Sequence, residues 1–195
     1  MGYVLIITML LGTLGQLYYL LEVFRKLAKE SKKVLKPEDN SGKDLIAVSV
    51  VVCAHNEYQN LQKLLPGLLA QNHPNFEVII VNDRSNDASQ EWLIQQSELN
   101  KQLKVVNITQ TQKDWNPKKY ALVQGINQAK NEVILLTDAD CETTSTDWIR
   151  HMSRFFEDPK IQIVLGFSPY FRIKGFLNRF IQFETFFTAI QYLSF

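Results

Sequence analysis

The sequence is poor in the residues that mark several common protein classes. Its 195 residues include only 2 Cys, 8 Gly and 6 Pro, which excludes a disulfide framework and a collagen-like or low-complexity chain. Lys and Arg total 21 against 20 Asp and Glu, so the basic excess typical of nucleic-acid binding is absent and we expect no nucleic-acid partner. The patterns GxxxxGK[ST] and GxGxxG are also missing, which excludes P-loop and dinucleotide-binding sites.

The amino terminus carries a long apolar run. Residues 3–23 are almost entirely apolar and the first 21 residues carry no charge, and a helix of that length is about 30 Å long, the thickness of a bilayer core. Six basic residues follow between Arg25 and Lys36, against a single acid. By the positive-inside rule, we predict a transmembrane helix over 1–24 and a basic juxtamembrane segment and linker over 25–44, with the following domain on the cytoplasmic side.

From residue 45 onward, apolar runs of strand length alternate with helical patterns. Strands are predicted over 47–53, 76–82, 103–108, 132–137 and 161–167. Helices are predicted between them over 61–71, 87–97, 118–130 and 147–157, and Pro66 is expected to kink or restart the first of these. This alternation predicts a parallel sheet with helices on both faces, an α/β and Rossmann-like domain.

Polar residues stand where three of these strands end. The segments EVIIVND at 77–83 and EVILLTD at 132–138 both end in an aspartate, and Asn56 and Glu57 follow the first strand. In open parallel sheets ligands bind at the carboxyl ends of the strands. We therefore expect Asp83 and Asp138 to face one crevice from neighbouring strands, although a single such acid is more often a turn or helix cap.

Asp138 and Asp140 form a D-x-D pair directly after the strand VILLT. Two carboxylates one residue apart at an exposed strand end are typical ligands for Mg²⁺ or Mn²⁺, whose remaining ligands are commonly substrate phosphate oxygens. The pattern is weak by itself, because D-x-D occurs in many loops by chance.

Four motifs, taken in order, resemble one known family. VVVCAHNE at 50–57, VNDRSND at 81–87, PKKYALVQGI at 117–126 and TDADC at 137–141 resemble the motifs of the family 2 glycosyltransferases, whose nucleotide-sugar-binding fold is called GT-A. The resemblance covers about residues 45–195 and implies a GT-A domain over 45–168. Pro117 stands where the family usually has Gly, and Val123 replaces the usual Asn.

The resemblance also implies roles for individual residues. It implies that His55 and Glu57 line the base and ribose of the nucleotide and that Asp83 accepts a hydrogen bond from the base. It further implies that Lys118 lies near the base or the phosphates. Asp138 would contact ribose or metal, and Asp140 would bind the metal that bridges the diphosphate.

The carboxyl-terminal part offers no general base in the context that this family provides. Asp147, Asp158 and Glu184 are among the later acids, and none lies in a matching motif, so the catalytic residue is expected beyond Phe195, in a longer enzyme of which this chain is the amino-terminal part. Residues 169–195 form an aromatic helical segment, expected either to lie in the membrane interface or to begin the missing acceptor part.

Together these observations predict a membrane-anchored, metal-dependent, inverting glycosyltransferase. The expected donor is a nucleotide-diphosphate sugar, with a UDP-sugar favoured, and the expected acceptor is a lipid or a glycan of the cell envelope at the cytoplasmic face. The alternative is a catalytically incomplete fragment that binds the nucleotide-sugar without transferring the sugar.

Overall fold

The computed structural model describes residues 2–34, 45–110 and 112–193. The chain divides into two compact units. One comprises Lys43–Val164, and the other comprises Met1–Gly42 together with Leu165–Phe195.

The unit Lys43–Val164 is built on a four-stranded parallel sheet. The strands are β1 (Val48–Ala54), β2 (Phe76–Asp83), β3 (Leu103–Ile108) and β4 (Val133–Asp138), in the order β3-β2-β1-β4. All of β2 and nearly all of β1 are buried, as expected for parallel strands covered on both faces. The predicted α/β, Rossmann-like architecture is confirmed.

Helices connect the strands and cover the sheet. They are α2 (Tyr58–Leu69), α3 (Ser89–Leu99), α4 (Pro117–Asn127) and α5 (Trp148–Ser153), the last continued by a 3-10 turn over Arg154–Glu157. Pro66 lies inside α2, which continues past it to Leu69 without interruption. Of the two outcomes expected at this proline, a kink or a restart, the restart is therefore wrong.

Alternate residues of the strands pack on opposite faces of the sheet and form two apolar layers. Val50 and Val52 pack with the leucines of α2 and with Leu93 and Ile149. Val51 and Val81 face the other way and pack with Ala121 of α4. Burying one such aliphatic side chain contributes about 1.5–3 kcal/mol, so these two layers fix the sheet between its helices.

Helix α4 packs close to the sheet because Gly125 has no side chain. A Cβ atom at this position would lie 2.5 Å from Val51 Cγ1 and 2.8 Å from Val81 Cγ2. At the other end of α4, the side chain of Asn116 accepts a hydrogen bond from the Lys119 backbone N–H, and Pro117 occupies the first turn, where its missing N–H costs nothing. These features fix the first turn of α4, which carries Lys118.

The fifth predicted strand does not form. Residues 161–173 have no regular secondary structure, and Ile163 and Leu165 are largely exposed. Within the described ranges β4 pairs with β1 alone, so the segment 161–167 adds no strand at the other edge of β4. The apolar run at 161–167 therefore indicates β-propensity and not an observed strand.

The second unit contains two helices that contact each other, α1 (Gly2–Val34) and α6 (Phe176–Leu193). Residues 2–26 of α1 are long and apolar enough to cross a membrane, as judged by length and composition. The helix continues through 25–34, where a juxtamembrane linker was predicted; the rest of that linker, 35–44, lies outside the described residues. Several aromatic side chains of α6 are exposed, among them Phe176, Phe180 and Phe183.

Candidate functional site

The carboxyl ends of β1, β2 and β4 lie at one edge of the sheet. In the strand register Cys53 of β1 stands between Val81 of β2 and Asp138 of β4. Because β1 separates β2 from β4, Asp83 and Asp138 are on strands that flank β1 and not on neighbouring strands. The prediction of direct neighbours is wrong in that respect, although both acids end strands at the same edge.

Lys118 and Asp138 form an ion pair at this edge. Lys118 Nζ donates to Asp138 Oδ1 at 2.8 Å, and both side chains are largely exposed, at 74% and 60%. The hydrogen bond to Asp138 and its charge raise the pKa of Lys118, against a lowering by partial burial, and the charge of Asp140 adds to the rise. Lys118 is therefore a cation held beside two carboxylates.

Asp140 lies one residue beyond a buried alanine. Ala139 packs into the apolar layer beside α2, while Asp138 and Asp140 on either side of it are exposed. Within the described ranges, no group of three or more His, Cys, Asp or Glu side chains is placed to hold a metal ion. Two accessible carboxylates nevertheless match the ligands that a protein typically supplies to Mg²⁺ or Mn²⁺ when substrate phosphates supply the other oxygens.

A pocket of about 200 Å³ opens beside the ion pair. Its walls include Cys53, Leu122 and Thr137 as well as Lys118 and Asp138. The pKa of the Cys53 thiol is raised to about 11, chiefly by burial; the charge of Lys118 lowers it, and the charges of Asp83 and Asp138 contribute to the rise. The thiol is therefore protonated at neutral pH, which argues against a nucleophilic role.

The two loops that follow β1 and β2 are joined by hydrogen bonds. His55 Nδ1 lies 2.6 Å from the backbone oxygen of Asp83, and since a carbonyl only accepts, Nδ1 carries the proton. Asn56 bonds the second loop twice, donating its backbone N–H to Ser85 Oγ at 2.9 Å and accepting at Oδ1 from the Asn86 backbone N–H at 2.8 Å. Glu57 accepts from Asn60 of α2. The loops thus form one wall at the end of the sheet.

Asp83 has a partner that the sequence analysis did not single out. Arg84 Nε donates to Asp83 Oδ1 at 2.7 Å, and a second guanidinium nitrogen donates to Oδ2 at 3.0 Å. Arg84 has a φ of 51°, a left-handed conformation that is uncommon for a residue other than Gly, Asn or Asp. The only sequence signal for this contact was the position of Arg84 directly after the acid.

The structure therefore places the predicted site residues in two groups. Lys118, Asp138 and Asp140 cluster around the end of β4, and His55 lies against the backbone of Asp83 at the end of β2. Within the described residues the Glu57 side chain forms no hydrogen bond or ion pair with either group; it accepts a hydrogen bond from Asn60 of α2. An extended ligand that contacts both groups has to cross the end of β1.

Comparison with known proteins decides the family. Residues 49–194 match the family described as glycosyl transferase family 2. The chain belongs to this family. The domain is thus a transferase domain of the GT-A type, as the four motifs of the sequence implied.

Two curated relatives illustrate the match of the family 2 domain. A poly-β-1,6-N-acetyl-D-glucosamine synthase from Staphylococcus epidermidis is 30% identical over 128 residues, which cover 66% of this chain and 30% of the relative. A glycosyltransferase of uncharacterised function from Synechocystis is 34% identical over 100 residues, covering 50% of this chain and 30% of the relative. The chain thus spans about a third of the length of the curated relatives that it matches.

A solved structure has the same fold. A mannosyltransferase from Pyrobaculum calidifontis, in complex with GDP-Man and Mn²⁺, superposes with a TM-score of 0.54 at 22% identity, over 73% of this chain and 41% of that protein. At this identity the likeness concerns the fold alone.

Proposed function

We propose that the family 2 domain binds a nucleotide-diphosphate sugar across the ends of β2, β1 and β4 and transfers the sugar, with inversion, to a lipid or glycan acceptor. The observation that carries this proposal is the contact between Lys118 and Asp138 beside Asp140. It combines a cation and two carboxylates at the sheet edge where α/β proteins bind nucleotides.

The exposed ion pair suits a site that a diphosphate enters. An exposed pair between Lys and Asp contributes little to stability, so a phosphate can replace Asp138 as the partner of Lys118 at little cost. Asp138 is then free to accept from a ribose hydroxyl or to bind a metal ion. The pair keeps both side chains at the mouth of the pocket.

Asp138 and Asp140 are the residues that would hold Mg²⁺ or Mn²⁺. A divalent ion there would supply neutralisation of the negative charge that develops on the departing diphosphate. Lys118 contributes positive charge of its own at the same place, and a cation fixed in advance stabilises a leaving anion without reorganisation. At the diphosphate, the protein therefore contributes charged groups in fixed positions.

The wall formed by the loops after β1 and β2 is proposed to receive the nucleoside. Asp83 is buried and ends β2, and a carboxylate there suits the N–H group of a uracil ring. His55 lies against the Asp83 backbone, and Glu57 follows His55 two residues later in the loop after β1; we propose that both contact the base and ribose. The two hydrogen bonds from Arg84 leave acceptor positions on both Asp83 oxygens, so a base N–H would share the carboxylate with Arg84.

A UDP-sugar is the donor that we favour. The support is the likeness to a relative named for the synthesis of an N-acetyl-D-glucosamine polymer, a sugar that is commonly activated with UDP. An acceptor that is itself a lipid or a growing cell-envelope glycan fits an apolar amino-terminal helix.

We further propose that α1 spans the membrane with the family 2 domain on its cytoplasmic side. Its apolar part ends near Lys26, and basic residues follow, which is the charge order of a helix whose carboxyl-terminal end is cytoplasmic. The exposed aromatic residues of α6 suit the membrane interface.

Calorimetric titration of UDP into the full chain, purified in detergent, tests the site. We expect binding in Mn²⁺ or Mg²⁺ that weakens strongly in EDTA. Asp140→Asn should weaken the metal-supported affinity at least about tenfold, since even an outer-shell partner of a metal is worth about 10–100-fold. Glu132→Gln is the matched control, because this exposed acid precedes β4 at the opposite end of the strand.

Transfer is then measured with radiolabelled UDP-sugars and membrane lipid or glycan acceptors. If UDP, GDP and dTDP all fail to bind in either metal, the proposed donor site is wrong. If Asp140→Asn keeps the metal dependence of the wild-type protein, the assignment of the acidic pair is wrong.

A further inference from the structure

The segment that follows the acidic pair is tied to the end of α2. Residues 141–147 lead from Asp140 to α5, and in this stretch Thr143 lies against Gly67 while Ser145 is bonded to Gln71. We call Gly67, Gln71 and Asn72, which hold this segment, the α2 clamp.

Gln71 uses its whole side-chain amide in the clamp. The residue is only 7% exposed. Its Nε2 donates to the backbone oxygen of Ser145 at 2.8 Å and to that of Gly67 at 3.0 Å, and its Oε1 accepts from the backbone N–H of Ile149 at 3.1 Å. One buried side chain thus satisfies backbone groups in α2, in the segment and in α5, and its loss would leave the buried backbone N–H of Ile149 without this partner.

Gly67 allows the segment to approach the helix closely. A Cβ atom at this position would overlap Thr143 Oγ1, although it would stand 3.5 Å from Thr143 Cβ, an ordinary contact distance. Asn72 adds two bonds farther along, from its backbone N–H to the Thr146 oxygen at 2.7 Å and from its side chain to Asp147 Oδ1 at 3.3 Å.

The α2 clamp restricts the position of Asp140. On one side of Asp140 the neighbouring Ala139 is buried in the core, and three residues beyond it Thr143 is seated against Gly67. The backbone at Asp140 is therefore held between two fixed points. A metal ligand that is exposed and has few contacts of its own depends on such support for its position, as outer-shell contacts do in other metal sites.

We infer that Gln71 and Gly67 are positioning residues for Asp140, setting the place of its carboxylate for a metal ion and the donor diphosphate. This inference rests on the proposed function. It assigns a donor-site role to two residues outside the four motifs, one in the last turn of α2 and the other two residues beyond its end.

The test compares two titrations on each variant of the full chain in detergent, UDP with Mn²⁺ and uridine without metal. Gln71→Leu and Gly67→Ala should weaken the affinity for UDP with Mn²⁺ about 10- to 100-fold and leave the affinity for uridine unchanged, because uridine has no diphosphate. Gly67→Ala/Thr143→Ala should regain the affinity for UDP, since removal of Oγ1 removes the overlap. Gln62→Leu, on the exposed face of the same helix, is the matched control.

Each result is decisive. If a variant loses affinity for UDP and for uridine equally, the role of the α2 clamp is purely structural and the inference is overturned. The same conclusion follows if both Gln71→Leu and Gly67→Ala lose the circular-dichroism spectrum of the folded protein. Unchanged UDP affinity in a folded Gly67→Ala overturns it as well, with the proposed function intact. Failure of the wild-type protein to bind UDP overturns the proposed function, and this inference with it.

Discussion

The guanidinium group of Arg84 engages both carboxylate oxygens of the adjacent Asp83, at 2.7 and 3.0 Å. Asp83 is buried, whereas the Arg84 side chain is about one-third exposed. A buried carboxylate is costly without a partner, and Arg84 supplies that partner at the end of β2. The same contact occupies the acid that we propose for base recognition.

Removal of the guanidinium should therefore destabilise the fold. We expect Arg84→Met to lower Tm, because it leaves Asp83 buried without its counter-ion, and Asp83→Asn/Arg84→Met to regain part of the loss, because the amide carries no charge. Thermal unfolding followed by circular dichroism measures both, with the exposed Lys63→Met as control. Additive losses in the double variant would show that the pair is not coupled.

Lys118 should matter for the phosphates of the donor more than for its nucleoside. Lys118→Met is expected to weaken the affinity for UDP about tenfold or more, the equivalent of one hydrogen bond to a charged group. The affinity for uridine should change little. Lys119→Met is the matched control, because Lys119 lies over the Trp115 ring at 5.9 Å from its centroid. An equal effect of the two substitutions on UDP would contradict the assignment.

The high pKa of Cys53, about 11, predicts an unreactive thiol. In a Cys141→Ser background, iodoacetamide should label Cys53 slowly at pH 7–8, and the rate should keep rising up to about pH 11 because only the thiolate reacts. Lys118→Met should move the midpoint higher, since Lys118 lowers the pKa of this thiol. A midpoint near pH 8.5 would contradict the burial of the thiol beside the pocket.

The charge order around α1 predicts the topology. Protease added to sealed, right-side-out vesicles should leave residues 45–195 intact, and the same protease should digest them in inverted vesicles. Immunoblotting with an antibody against the family 2 domain measures both. Digestion in right-side-out vesicles would reverse the proposed orientation.

Much of the sheet could be predicted from the sequence, because buried parallel strands are continuous β-branched runs. Val48–Ala54 and Phe76–Asp83 lie within one residue of their predicted bounds. The strand predicted over 161–167 was wrong, since an apolar run indicates β-propensity and does not show whether the segment pairs with another strand. The contact of Gln71 with Ser145 joins residues 74 positions apart, and no local pattern encodes such a pairing.

The central position of β1 has a consequence for the synthesis of the protein. Val48 pairs on one side with Phe76 and on the other with Val133, so the second partner strand is made long after the first. At about 5–20 residues per second, the ribosome needs on the order of ten seconds to supply β4. During that interval β1, which is almost fully buried in the folded domain, has one unpaired edge, and such exposed strand edges are prone to aggregation.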